Sequence, residues 1–149
     1  MSPIIRNAQR TDVSAIFALI QELALYEKAP EQVTNTAEQL SIDLFDDHLC
    51  EAIVAELDSE IVGFALYYTS YSTWKGACLY LEDFYVKEEK RKLSIGQLLF
   101  DEILLVAKRS NVKRMDWQVL AWNEPAIRFY EKQQAILDPE WLNGRMFFE

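Results

Sequence analysis

At 149 residues, half of them hydrophobic and 26% charged, the chain has the size and composition of one globular domain, not of a disordered protein. A net charge of −9 argues against a general nucleic-acid binder, which needs a basic face to neutralise phosphates, and favours a cationic partner. No apolar run approaches the ~20 residues of a membrane span, and the opening MSPIIRNAQR has no signal-peptide core, so a cytoplasmic protein is expected.

Pro3–Ala8 reads as a short first strand. Thr11 then caps a helix in which Val13, Ile16, Phe17, Ile20, Leu23 and Ala24 recur at helical spacing down to Tyr26. Ala29–Val33 interrupts the pattern, and Thr36 with Gln39 fits a capping box that opens a second helix running to about Phe45. Cys50–Leu57 and Ile61–Ser70 are strands joined through Asp58-Ser59-Glu60, which predicts an antiparallel hairpin. After a loop over Tyr71–Gly76 comes the strongest strand, Ala77–Val86. Lys87–Arg91 is a charged turn. Ile95, Leu98, Leu99, Ile103, Val106 and Ala107 then mark a helix. Arg114–Leu120 reads as a strand, and Asn123 caps a short helix through about Lys132, with Pro125 tolerated in its first turn. Two weak strands close the chain, the last near Arg145–Phe148.

The order β-α-α-β-β-β-α-β-α-β-β predicts an α/β fold of one domain over residues 1–149, with a central mixed sheet flanked by helices on both faces. The crossover runs from Leu79–Val86 through the helix at 95–109 to Arg114–Leu120. Ligands of open α/β sheets bind at the carboxyl ends of strands, which points to Val86 and Leu120. Cys50 and Cys78 share no metal-ligand spacing and read as buried free thiols. His48 is the sole histidine, so a zinc site built on several histidines is excluded and no metal is expected.

The turn Val86-Lys87-Glu88-Glu89-Lys90-Arg91-Lys92-Leu93-Ser94-Ile95-Gly96 leads into a helix start. Such an end has N–H groups and a partial positive charge to offer a phosphate, and Lys90, Arg91 and Lys92 add cations beside it. Gly96 would let the backbone approach closely. The same segment also reads as a solvated charged turn before an ordinary helix. It is neither a P-loop nor a Rossmann fingerprint.

Arg91-Lys92-Leu93-Ser94-Ile95-Gly96, preceded by a hydrophobic strand, resembles the R/Q-x-x-G-x-G/A motif of the GNAT superfamily of acetyltransferases. The likeness extends along residues 4–135. Leu23-Ala24-Leu25-Tyr26-Glu27, Ile61-Val62-Gly63-Phe64-Ala65 with Tyr67-Tyr68, Trp74 with Gly76, Leu79-Tyr80-Leu81-Glu82-Asp83-Phe84, and Trp122-Asn123-Glu124-Pro125-Ala126-Ile127 with Phe129-Tyr130 resemble the spermidine/spermine and thialysine acetyltransferases. Two departures stand out. Ser94 occupies the place of the motif's middle glycine, and Lys92 a place where this subgroup usually has glycine; the sequence also diverges after Ala135.

The resemblance implies acetyl-CoA as cosubstrate and a small primary amine as acceptor. An alkyl ammonium, with a pKa near ~10.4, cannot attack a thioester until it loses a proton. Glu82 and Asp83 are adjacent in an apolar strand, and side-chain alternation sends one carboxylate to each face. An acid at a strand bulge, capped by backbone N–H groups or Arg114, is the structural alternative. By resemblance Glu82 binds the amine and helps deprotonate it through water, and Asp83 is the second candidate. The matching tyrosine, Tyr130, would protonate the departing thiolate. Backbone groups of Phe84, Tyr85 and Val86 would hold the acetyl-pantetheine arm and supply an oxyanion donor. Arg91, Lys92, Leu93, Ser94, Ile95, Gly96 and Gln97 would cradle the pyrophosphate, and Asn123 would reach the coenzyme while capping its helix. Tyr26, Glu27 and Trp74 match positions around the amine. With Glu82 and Asp83 they would form an acidic, aromatic pocket suited to a polycation.

Two other functions stay open at this point. One keeps the acetyl transfer but changes the acceptor to an aminoglycoside or a protein N-terminus. The other is a non-catalytic acyl-CoA sensor, favoured by the side chain of Ser94. A homodimer is implied by resemblance, with aromatic residues near Trp141–Phe148 as contributors, and neither nucleic acid nor membrane is expected as a partner.

Overall fold

The computed structural model describes residues 2–148, the side chain of Lys92 excepted, so the expectation that Lys92 brings its charge to a phosphate lies outside the described residues. Among these residues five strands form one sheet in sequence order: β1 Ile4–Asn7, β2 Glu51–Leu57, β3 Glu60–Ser72, β4 Gly76–Val86 and β5 Met115–Asp116. The helices are α1 Val13–Tyr26, α2 Ala37–Phe45, α3 Ile95–Arg109 and α4 Glu124–Lys132. Strands β1 to β4 pair antiparallel and β4 pairs parallel with β5, so the sheet is mixed and α3 is its crossover. The chain divides into two compact parts. Residues up to Trp117 carry the sheet and α1 to α3; those from Gln118 carry α4.

Alternation sorts the sheet residues between two helical layers. Ala52, Val54, Phe64, Leu66 and Tyr85 pack with Val13, Ile16 and Leu19 of α1 and Leu40 and Leu44 of α2. The intervening Ile53, Ala55 and Ala65 are fully buried on the opposite face. There α3 lies across β1 to β4, burying Ile95, Leu99, Phe100, Ile103 and Ala107. Phe84 meets Phe100 edge-on at 5.7 Å on that side. Helices therefore cover both faces, as expected.

Local chemistry explains most boundaries. Asp58 and Ser59, at φ +52° and +66°, make the two-residue turn between β2 and β3, a geometry that matches the twist of a hairpin. The Thr36 hydroxyl accepts the Gln39 N–H at 3.1 Å, as the capping-box reading requires. The reciprocal half is not made, because the Gln39 amide donates to Asp43 instead. Thr11 is not the cap of the first helix. A 3-10 turn, Arg10–Asp12, precedes α1, and Asp12 accepts the Gln9 N–H at 2.7 Å. The Asp12 carboxylate, in a residue only 6% exposed, takes two bonds from the Arg6 guanidinium at 2.8 and 3.1 Å. Arg6 in turn reaches Glu56 at 2.9 Å, so a buried ionic lattice fixes where the helix begins.

Two strand expectations fail. Arg114–Leu120 contributes only Met115–Asp116 to the ladder, opposite Leu79 and Tyr80. The parallel pairing ends at Tyr80, just before the β4 bulge at Glu82, where a ladder is locally disrupted. The two closing strands, including Arg145–Phe148, do not form among the described residues. This stretch has no ladder to join, and Ile136, Trp141, Leu142, Met146, Phe147 and Phe148 are exposed along it.

Candidate active site

The centre of the site is an irregularity in β4. Its register against β3 runs Asp83 to Leu66 and then Leu81 to Tyr67, leaving Glu82 as an extra residue. A bulge suspends alternation, so the expectation of one carboxylate on each face is corrected. Asp83 lies opposite Leu66 and shares the α1 face with it. Burial first, then the charges of Glu82 and Glu27, push the Asp83 carboxyl up to about 7. Burial and Glu82 also raise Glu27, which caps the C-terminus of α1. The same two causes raise Tyr68, whose ring lies 5.3 Å from that of Tyr80, one step along the sheet. Glu27, Glu82 and Asp83 thus form one acidic cluster on the α1 face. Arg114, offered as a possible partner for a bulge acid, is instead paired with Asp116 at 2.8 Å.

At the carboxyl end of β4 the chain enters a 3-10 turn, Glu88–Leu93, and then α3. Ser94 joins the two in the left-handed region, at φ +61° and ψ +18°. This is where an L-residue is strained and where the family motif has glycine. The Ser94 carbonyl accepts the first intrahelical bond, from Leu98 at 3.2 Å, and the N–H groups of Ile95 and Gly96 precede that bond. The first turn holds no acidic residue, and a Cβ placed on Gly96 would meet nothing within 4 Å. An open, dipole-positive helix start of this kind fits a pyrophosphate. Phe84, Tyr85 and Val86 lead directly into it. Gly63 allows the end of β4 to sit close, since a Cβ there would press to 3.0 Å on the Tyr85 carbonyl. Among the described residues no group of three or more His, Cys, Asp or Glu could hold a metal ion.

Arg91 and Tyr26, expected at the coenzyme and the amine respectively, meet each other. The Arg91 guanidinium carbon lies 5.2 Å from the Tyr26 ring centre and 5.4 Å from that of Tyr85. Its Nε donates to the Val86 carbonyl at 3.0 Å. A second strap runs parallel to this one. Glu22 accepts from the Tyr85 hydroxyl at 3.2 Å and pairs with Lys87 at 3.4 Å. The sequence reading missed Glu22 and Lys87. The signal was the i, i+4 relation of Glu22 to Tyr26, which puts both on one helix face.

Trp74 is not brought to the acidic cluster within the chain. It sits at the tip of the β3–β4 hairpin, 81% exposed, where its N–H donates to the Ser72 hydroxyl. From Gly76 to Glu82 the strand advances about 20 Å at ~3.3 Å per residue, too far for a side chain to span. Asn123 and Tyr130 belong to the second part of the chain. Asn123 caps α4 as expected, accepting the Ala126 N–H at 3.4 Å. Tyr130 is 7% exposed and stacks edge-on with Phe129 at 5.5 Å.

The family model described as acetyltransferase (GNAT) matches residues 15–135. Thialysine N-epsilon-acetyltransferase of Bos taurus is 39% identical over 137 residues, 86% of this chain and 81% of that protein. Spermidine/spermine N(1)-acetyltransferase-like protein 1 of Homo sapiens is 34% identical over 140 residues, 89% of this chain and 20% of that protein. An aminoglycoside acetyltransferase from an uncultured soil metagenomic sample superposes with a TM-score of 0.80 at 16% identity, covering 99% of this chain and 97% of the other, which speaks for the fold. With its mixed sheet, its open helix start after β4 and a family match spanning most of its length, the chain belongs to the GNAT acetyltransferase family.

Proposed function

We propose that the protein transfers the acetyl group of acetyl-CoA to a primary amine of a small cationic acceptor, namely a polyamine, a diamine or a lysine-like amino acid, by direct attack in a ternary complex. The observation that carries this reading is the gathering of Glu27, Glu82 and Asp83 on one face of β4, one strand end away from the helix start at Ser94–Gly96. A cluster of carboxylates, two of them raised by burial and then by their neighbours' charge, gains from a bound ammonium and is a poor host for an anion. The names of the relatives from Bos taurus and Homo sapiens support the same acceptor class.

In this mechanism Glu82 holds the ammonium and takes its proton through water. The amine nitrogen then attacks the thioester carbonyl. A backbone N–H of the Phe84–Val86 segment steadies the oxyanion, the C–S bond breaks as the new C–N nitrogen gives its second proton to water, and Tyr130 protonates the thiolate and is reprotonated from solvent. The turn from Lys92 to Gln97 holds the pyrophosphate, with Asn123 assisting. Tyr26 and Trp74 complete the amine site. For Trp74 this requires the hairpin tip of a second copy, in keeping with a homodimer. The whole chain is read as one N-acetyltransferase domain working in the cytoplasm.

The test is an acceptor panel with release of the coenzyme thiol as readout. Spermidine, a diamine and thialysine should be acetylated, and Tyr130→Phe should keep the melting temperature while losing most of kcat. Acetylation of a peptide N-terminus with no turnover of any small amine would reject the reading.

A further inference from the structure

The family motif places Arg91 among the phosphate ligands, yet its exposed side chain also engages the protein itself. Three contacts engage it: the rings of Tyr26 and Tyr85, and the Val86 carbonyl at its Nε. Both rings lie within the ~6 Å range at which a guanidinium gains from an aromatic face. The three partners come from two elements. Tyr26 ends α1, while Tyr85 and Val86 end β4. Arg91 itself sits in the 3-10 turn that leads to the helix start.

What hangs on Tyr26 gives the arrangement its meaning. The next residue, Glu27, caps α1 and carries one of the three carboxylates of the cluster. Lys28 follows at φ +65°, so the chain leaves the helix at once. Backbone bonds from Glu27 to Leu23, Lys28 to Leu25 and Ala29 to Ala24 close the helix end, so Glu27 moves as one piece with Tyr26, and Arg91 ties Tyr26 to the end of β4. The Glu22 strap anchors the same face one turn earlier but does not reach the helix end.

We propose that Arg91 is a positioning residue for the amine: by gripping Tyr26 and Tyr85 it holds the end of α1, and with it Glu27, against the acidic bulge of β4. The inference rests on the acetyltransferase reading above. It gives the coenzyme turn a second task, that of bracing the acceptor site from behind. Lysine cannot replace arginine in this role, because an ammonium has neither the planar face for two rings nor the Nε donor. It does keep the charge that a phosphate ligand would need.

The experiment compares Arg91→Lys, Tyr26→Leu and the double variant, with spermidine as acceptor at saturating acetyl-CoA. Acetyl-CoA affinity is measured separately by calorimetry. Each single variant should raise the spermidine KM about tenfold, with acetyl-CoA Kd within about threefold of wild type. The double variant should be no worse than either single, because both remove one clamp. Arg91→Lys weakening acetyl-CoA tenfold or more at an unchanged spermidine KM would make Arg91 a phosphate ligand and overturn the proposal. So would multiplicative effects in the double variant. A wild-type protein that acetylates no amine would overturn the acetyltransferase reading and the proposal together, whereas normal wild-type turnover with unchanged KM in both variants would overturn the proposal alone.

Discussion

Replacing Asp83 by asparagine should stabilise the protein at pH 8 and do little at pH 4. Burial, with the charges of Glu82 and Glu27, raises this carboxyl from the ordinary 3.8 to about 7. The folded chain therefore holds a proton over that window that the unfolded chain has already released. Stability falls as pH climbs from about 4 to about 7, and above that the whole cost is borne. At 1.36 kcal/mol for each pH interval of one, the gap amounts to about 4 kcal/mol. The isosteric amide carries no charge and escapes it. For a chain of this length that is about 10 °C in Tm, at ~2–4 °C per kcal/mol. Thermal melts of both proteins from pH 4 to 8.5 give the answer as a difference, in which every other titrating group cancels. That difference should open between pH 4 and 7 and stay flat beyond. A difference independent of pH would refute the placement of a half-buried Asp83 beside the exposed Glu82 and Glu27. The same protonation gives a binding signature: a polyamine bound at pH 6 should displace the proton, seen as a buffer-dependent heat.

Gly96→Ala should raise Tm slightly, since alanine is favoured in a helix by ~1 kcal/mol and its methyl would enter open space. It should nevertheless weaken acetyl-CoA at least about tenfold by calorimetry, because that open space is what a pyrophosphate would fill. Ser94→Gly relieves a left-handed serine but loosens the unfolded chain, so Tm should move by less than ~1 kcal/mol in equivalent stability. Its acetyl-CoA affinity should stay within about tenfold, a ~1.4 kcal/mol effect, and a larger gain would mean that the serine obstructs the site. Asp12→Ala breaks a buried ion pair and the start of α1, and should lower stability by about 3 kcal/mol in urea unfolding with little change in acetyl-CoA affinity.

The periodic parts of the fold were legible in the sequence. Val13 to Ala24 and Ile95 to Ala107 announce their helices because one apolar face recurs along each, and Thr36 and Asn123 mark their own helix starts. What escaped was set by partners far away in the chain. Thr11 has the right chemistry for a cap, but Asp12 wins because Arg6, itself tied to Glu56 50 residues away, already holds it. Arg114–Leu120 has strand composition, yet a strand exists only where a neighbour pairs with it, and β4 offers just Leu79 and Tyr80. The turn before α3 is marked by its charged residues, but nothing in the sequence says that Arg91, though exposed, lies over the ring of Tyr26.

The bulge at Glu82 shows why a site can be visible in its residues and hidden in its geometry. Strict alternation would have parted Glu82 from Asp83, each facing its own layer of helices, and each would then have needed a separate partner. One extra residue in β4 puts both beside Glu27 instead, and their mutual repulsion is what lifts Asp83 beyond the effect of burial. The ladder to β5 ends at Tyr80, just before that extra residue. A single departure from the strand's period thus creates the acidic cluster. Removing it by deleting Glu82 would restore the alternation and leave Asp83 and Glu27 without the third carboxylate of the cluster. The cost to stability would be small and the cost to amine binding large, because the bulge serves the site rather than the sheet.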